Sequence, residues 1–326
     1  MVWFEFFICA SLLTYFAYNL CKEGIILSVK THMEEGVIGM FFLAAATSFP
    51  EIVTGATAVF SLGRIGLGYG DIIGSVMVNF MILLGLDIFQ GRGRILLRVS
   101  RLNRTTGIFA LAVVLITLVA AVIRFSGVHL PSIGRIGSES VLMVCVYFAY
   151  LKVIREKGTD RSAAGIYRSG QEPFWKIWAK FILFLVIVML LGAWMAMIGE
   201  KIVLVTELPQ TFIGMLFLGL ATSLPEIIVS FAALRAGSVD MAVGNILGSN
   251  LFDVCIVPFL DVLTKRPILG MLSPGQVMAT VVVLVLSGIA ALGLYVKRDT
   301  SRKAGWDTIL IFSVGLMGFM LLYFVQ

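Results

Sequence analysis

Apolar residues run along the whole chain in stretches of about twenty, separated by short polar breaks. A helix needs roughly 20 mostly apolar residues to cross the hydrocarbon of a bilayer. By that measure the runs near residues 3–28, 37–62, 67–90, 105–123, 138–154, 174–198, 210–234, 239–262, 276–296 and 306–325 predict ten spanning helices and an all-α membrane protein. The polar stretch from Lys157 to Glu172, with Gly158, Gly165 and Gly170, falls near the middle. It divides the chain into five-span segments 1–156 and 174–326, joined by a linker at 157–173.

Composition supports this reading. With 59% hydrophobic and 13% charged residues and a mean hydropathy of +1.01, the chain has too few polar side chains to cover a soluble globule of its size. The start, Met1 to Phe7, carries Glu5 and no basic residue, which does not fit a cleavable signal peptide and reads as part of the first span. Cys9, Cys21, Cys145 and Cys255 sit singly in apolar runs and indicate neither a disulfide framework nor a zinc site. The net charge of +6 does not point to nucleic acid, because the basic residues lie between apolar runs. Alternate connections carry 17 and 6 of them, and the positive-inside bias places the richer side, linker included, in the cytoplasm with both termini outside.

The two segments repeat each other. Gly39-Met-Phe-Phe-Leu-Ala-Ala-Ala-Thr-Ser-Phe-Pro-Glu-Ile recurs 175 residues later as Gly214-Met-Leu-Phe-Leu-Gly-Leu-Ala-Thr-Ser-Leu-Pro-Glu-Ile. Gly70-Asp-Ile-Ile-Gly-Ser-Val-Met-Val-Asn79 lies over Gly244-Asn-Ile-Leu-Gly-Ser-Asn-Leu-Phe-Asp253 with a shift of 174. Five spans is an odd number, so the second copy enters the membrane inverted, the plan on which secondary transporters build midplane sites from interrupted helices.

The likeness is strongest at polar positions. Pro50 and Pro225 lack an amide hydrogen and clash one turn back, freeing carbonyls near Ala46 and Ala221. Thr47, Ser48 and Glu51 gather on one helical face with Ala44 a turn away, and Thr222, Ser223, Glu226 and Gly219 do the same. Ser75 with Asn79, and Ser249 with Asp253, are i, i+4 pairs on the following spans. Carboxylates at midplane depth mark function by default. Hydroxyls, carboxylates, an amide and free carbonyls form an all-oxygen set suited to Na⁺ or to Ca²⁺, whose coordination is flexible. Three carboxylates are neutralised by three Na⁺, or by one Ca²⁺ and one proton.

With these residues in view, the two motifs resemble the alpha repeats of the sodium/calcium exchanger branch of the cation/calcium antiporter superfamily, and the ten-span layout is similar to that of its prokaryotic members. The resemblance covers both halves. It implies Ca²⁺ in alternation with Na⁺ at Glu51, Glu226 and Asp253, with Asn79 as the neutral counterpart of Asp253. It also implies Na⁺ ligands at Thr47, Ser48, Thr222, Ser223, Ser75 and Ser249, carbonyl ligands at Ala44 and Gly219, and alternating access by sliding of the first and sixth spans against a rigid core. A bacterial inner membrane is the expected location. No cofactor is expected, since Ca²⁺ and Na⁺ are substrates, and the lipid bilayer is the expected surrounding, with no obligate protein partner.

Departures from the repeat are Val76 against Asn250, Asp71 against Asn245, and Thr54 against Val229. Asp71 is a candidate fourth ligand, but its place near a helix start favours an N-cap. Asp87 and Asp261, near span ends, read as solvated, and Lys22 with Glu23 as a local ion pair or snorkelling groups. Three other readings compete. Ca²⁺/H⁺ exchange is the rival within the antiporters, although His32 and His129 are both expected in loops. An intramembrane aspartyl protease would use the Gly-x-Gly-Asp pattern of Gly68 to Asp71, but no Tyr-Asp pair supplies its second aspartate. A passive channel is disfavoured by the inverted halves.

Overall fold

The computed structural model describes residues 1–30, 44–91, 93–157, 173–296 and 304–324. They form α1 (Val2–Lys30), α2 (Phe49–Ala56), α3 (Ile65–Gln90), α4 (Arg101–Phe125), α5 (Ser138–Lys157), α6 (Phe174–Thr206), α7 (Gln210–Thr222), α8 (Leu224–Arg235), α9 (Val239–Leu263), α10 (Pro274–Tyr295) and α11 (Trp306–Phe324). Among the described residues, seven helices are long and apolar enough to cross a membrane, and α7 with α8, bent by 40°, makes an eighth if the pair is one broken span. The beginning of the expected second span and nearly all of the linker at 157–173 lie outside the described residues, as does His32. His129 is in an exposed loop, as expected.

Helix ends follow local chemistry. Ser273 and Gln276 cap α10 reciprocally, and Ser238 accepts from Met241 N at the start of α9. Gly91, at φ 69°, closes α3 in the left-handed conformation that a glycine adopts without strain. α6 runs eight residues beyond the expected span to Thr206 and stops at Glu207, also left-handed at φ 56°. A small hairpin, β1 (Ser132–Ile133) with β2 (Ile136–Gly137), joins α4 to α5 and was not foreseen.

The buried apolar side chains fall into two groups. One joins α3, α4, α5, α9, α10 and α11 around Tyr69, Phe80, Leu247 and Leu286. The other joins α1 to α6 through Cys9, Leu13, Leu191 and Ile198, with Leu67, Leu218 and Ala221 at its border. Large apolar side chains such as Phe7, Leu190 and Met317 face outward, which suits a lipid surround and not water. α1 and α6 are further tied by Lys201 to Glu5 at 2.8 Å.

Three expectations about charged groups are corrected. Glu23 pairs with Lys180 of α6 at 3.9 Å and not with its neighbour Lys22, whose exposure agrees with the snorkelling alternative. Asp87 and Asp261 are fully buried, because each carboxylate collects three donors from loops and helix starts. Asp87 accepts from Ile95 N, Gly305 N and the Thr308 hydroxyl at 2.7–2.8 Å. Asp261 accepts from Gly137 N, Ile268 N and the Ser140 hydroxyl at 2.6–3.1 Å. Asp71 is no N-cap: α3 begins two turns earlier at Ile65, and the side chain is buried.

Candidate cation site

The two Thr-Ser-x-Pro-Glu motifs break their helices in the same way. A helix stops at Thr47 and resumes at Phe49; another stops at Thr222 and resumes at Leu224. Ser48 (φ −83°, ψ 9°) and Ser223 (φ −81°, ψ −1°) occupy nearly identical positions in the sparsely populated bridge region of backbone space. Each is followed by a proline at the second position of the new helix, where its missing N–H costs nothing. Glu51 and Glu226 therefore stand in the first turns of α2 and α8.

α3 crosses α7 closely enough to bring these breaks together. A Cβ on Gly74 would fall on the backbone of Met215, and one on Gly219 would lie 2.7 Å from Gly74 C and Ser75 N. Small residues at such a crossing let two backbones touch, as they do between helices in membranes. The contact sets the Gly219 carbonyl 3.4 Å from the Ser75 hydroxyl.

The polar side chains proposed from sequence are all without solvent exposure, and all but Ser223 are linked to one another here. The Ser75 hydroxyl donates to Glu51 Oε1 at 3.3 Å and lies 3.2 Å from Thr222 Oγ1. Its repeat counterpart, the Ser249 hydroxyl, donates to Glu226 Oε1 at 3.4 Å and lies 3.2 Å from Thr47 Oγ1. Ser48 also donates to Glu226 Oε1, at 3.3 Å, whereas Ser223 Oγ has no hydrogen-bond partner within the protein. Asn79 Nδ2 reaches Asp253 Oδ2 at 3.5 Å. The Ala44 carbonyl accepts from Ser48 N and from the Thr47 hydroxyl.

Asp71, which the sequence favoured as an N-cap over a fourth ligand, belongs to this group: its Oδ1 accepts from the Thr222 hydroxyl at 3.1 Å. The signal was its i, i+4 spacing to Ser75. The counterpart Asn245 instead donates to Glu226 O and to Ser230.

Two features bear on chemistry. Hydroxyl-to-carboxylate distances in the site are 3.1–3.4 Å, whereas Ser140 to Asp261 is 2.6 Å and Thr308 to Asp87 is 2.7 Å. The latter are ordinary O–H···O bonds; the former approach the spacing of neighbouring oxygens around one cation, about 3.3–3.7 Å at right angles for ligands roughly 2.3–2.6 Å from Ca²⁺. Secondly, Glu51 Oε2, Glu226 Oε2, Asp253 Oδ1, Asn79 Oδ1 and Asp71 Oδ2 are buried without a hydrogen-bond partner in the protein. The ion pairs of the described residues, Arg64–Glu200, Arg94–Asp307, Arg124–Glu139, Lys180–Glu23 and Lys201–Glu5, all leave these carboxylates out. Among the described residues no three acidic, histidine or cysteine side chains suffice to hold a metal ion. Hydroxyl, amide and carbonyl oxygens would have to complete any coordination shell.

A family model described as sodium/calcium exchanger protein matches residues 1–154 and 176–325. The chain belongs to the sodium/calcium exchanger family. An uncharacterized membrane protein of Methanocaldococcus jannaschii is 28% identical over 221 residues, 67% of each chain. Inner membrane protein YrbG of Escherichia coli is 26% identical over 256 residues, 74% of this chain and 70% of that one. Among solved structures, the sodium-calcium exchanger NCX_Mj superposes with a TM-score of 0.63 at 22% identity, covering 98% of this chain and 97% of that one. The H⁺/Ca²⁺ exchanger CAX superposes with a TM-score of 0.73 at 10% identity, covering 99% and 86%. At such identities these likenesses show a shared fold. This exchanger is thus a multi-pass membrane protein of an ion-antiport family.

Proposed function

We propose that the exchanger swaps Ca²⁺ for Na⁺ by alternating access, using Glu51, Glu226, Asp253 and Asn79 with the hydroxyls of Thr47, Ser48, Ser75, Thr222, Ser223 and Ser249 and the carbonyls of Ala44 and Gly219. The observation that carries this reading is the set of buried, unpartnered oxygens contributed by α2, α3, α8 and α9 to one place. Buried carboxylates without a cationic side chain are costly, and a transported cation offsets that cost only while it is bound. Two cations that use the same anionic oxygens exclude each other, which is the requirement for exchange.

The reading includes ten spans arranged as two inverted halves, with the termini outside and the linker at 157–173 in the cytoplasm. The repeat-related pairs Ser75 to Glu51 and Ser249 to Glu226 support it. The apolar group in which α1 and α6 pack mainly on each other, joined by α3 and α7 residues such as Leu67, Ile213 and Leu218 and distinct from the larger group, supports movement of that pair against the rest. Ca²⁺/H⁺ exchange is the second reading, favoured by the fold likeness to CAX.

The test is ⁴⁵Ca²⁺ uptake into proteoliposomes under an imposed Na⁺ gradient, compared with a pH gradient. Uptake driven by Na⁺ and abolished by Glu51→Gln and by Glu226→Gln is expected. Uptake driven by the pH gradient alone would replace Na⁺ by H⁺, and unchanged uptake in both variants would remove the site.

A further inference from the structure

A second duplicated motif lies outside the cation site. Gly137-Ser-Glu-Ser140 and Gly305-Trp-Asp-Thr308, 168 residues apart, share the order glycine, any residue, acid, hydroxyl, and they open α5 and α11. Asp87 and Asp261, 174 residues apart, stand near the ends of α3 and α9. Each is eight residues beyond the group its helix gives to the site, Asn79 or Asp253, a rise of about 12 Å.

Each aspartate grips the glycine motif of the other half. Asp87 Oδ2 accepts from Gly305 N and the Thr308 hydroxyl, both at 2.7 Å, while Oδ1 accepts from Ile95 N at 2.8 Å. Asp261 Oδ2 accepts from Gly137 N at 3.1 Å and the Ser140 hydroxyl at 2.6 Å, while Oδ1 accepts from Ile268 N at 2.7 Å. The acidic residue of each motif takes an arginine in a two-pronged pair: Asp307 with Arg94 at 3.1 and 2.7 Å, Glu139 with Arg124 at 2.5 and 3.0 Å. A Cβ at either glycine would fall on that acidic side chain. Ten residues separate the end of α3 from the start of α4, which reaches the second clasp at Arg124. Its 25 residues separate the clasps by roughly 35 Å, so they sit at opposite ends of the bundle.

We propose that Asp87 and Asp261 are positioning residues for transport, holding Asn79 and Asp253 at the depth and rotation that cation binding needs. They touch no oxygen of the site and act through α3 and α9. Because each clasp crosses between halves, a shift of either final helix moves a ligand of the opposite half. The assignment rests on the reading of the cation site given above.

Half-saturating Ca²⁺ and maximal rate are to be measured separately in ⁴⁵Ca²⁺ uptake, on protein whose size-exclusion profile matches wild type. Asp87→Asn and Asp261→Asn place an amide against N–H donors and are expected to raise half-saturating Ca²⁺ at least fivefold, with maximal rate changed less than twofold. Thr308→Val and Ser140→Ala should raise it about threefold, whereas Thr308→Ser and Ser140→Thr, which keep the hydroxyl, should restore the wild-type value. An unchanged half-saturation in the folded aspartate variants overturns the proposal, as does equal impairment by Thr308→Ser and Thr308→Val. Should the aspartate variants fail to fold, the hydroxyl series decides. Glu51→Gln, run alongside, tests the site itself: flux retained there refutes the site whatever the clasp variants do.

Discussion

Asp253→Asn separates the cost of the site from its use. Asp253 is fully buried, its Oδ2 accepts from the Asn79 amide at 3.5 Å, and its Oδ1 has no hydrogen-bond partner in the protein. The substitution keeps the shape of the side chain, gives Asn79 an amide to pair with, and removes a charge that no lysine or arginine in the described ion pairs balances. The cation-free protein is therefore expected to be at least as stable as wild type. Calcium binding should suffer, because removing one partner of a buried charge pair costs about 3–5 kcal/mol, or on the order of 10²–10⁴ in affinity at 1.4 kcal/mol per tenfold. Thermal unfolding of detergent-purified protein, followed by tryptophan fluorescence, reads both effects. Wild type should gain about 2.7 kcal/mol when Ca²⁺ is at a hundred times its Kd; the variant should gain almost nothing at that concentration while its calcium-free Tm is equal or higher. A calcium-free Tm that falls sharply, together with an intact calcium-dependent rise, would refute the reasoning and make Asp253 a structural residue.

Other consequences follow from the same geometry. Gly74→Ala drives a methyl group into the Met215 backbone and should cost about 1–3 kcal/mol, as overpacking does; a Tm within experimental error of wild type would contradict the close crossing of α3 and α7. Asp71→Asn removes a charged acceptor for Thr222. With a net hydrogen bond worth about 1 kcal/mol, half-saturating Na⁺ in Na⁺-driven uptake should rise several-fold, and no change would place Asp71 outside the site. Pro225→Ala restores an amide hydrogen that can bond the Ala221 carbonyl and carry α7 on through Ser223 into α8; closing the break should lower the maximal rate while adding helix, and circular dichroism with flux measured on the same preparation tests both.

The site was legible in sequence because its residues are polar groups repeated inside apolar runs, where packing alone gives no reason to keep a serine or a glutamate. Thr47, Ser48, Glu51 and their counterparts could therefore be named, and all are buried, with Thr47, Ser48, Glu51, Thr222 and Glu226 linked through Ser75 and Ser249. For Asp71 the N-cap outranked the ligand role because a start near residue 67 for the third span puts it in the first turn, whereas α3 starts at Ile65. Asp87 and Asp261 were misread because an acid at a span end is ordinarily solvated. Two of the donors to Asp87 come from residues more than 200 positions away. The duplicated glycine motifs at Gly137 and Gly305 were the available signal. Other features had no sequence signal at the level of patterning: the π-helical turns at Thr57–Ser61 and Gly214–Leu218, and the hairpin at Ser132–Gly137.

The central claim is that a transported cation lies among Glu51, Glu226, Asp253 and Asn79. Anomalous diffraction from crystals soaked in Sr²⁺, a calcium surrogate, tests it most directly. The account predicts one dominant peak at roughly 2.3–2.6 Å from carboxylate oxygens of Glu51 and Glu226, lost when Na⁺ is raised. Strontium bound only outside the helix bundle, or a peak in the site that Na⁺ does not displace, would contradict it.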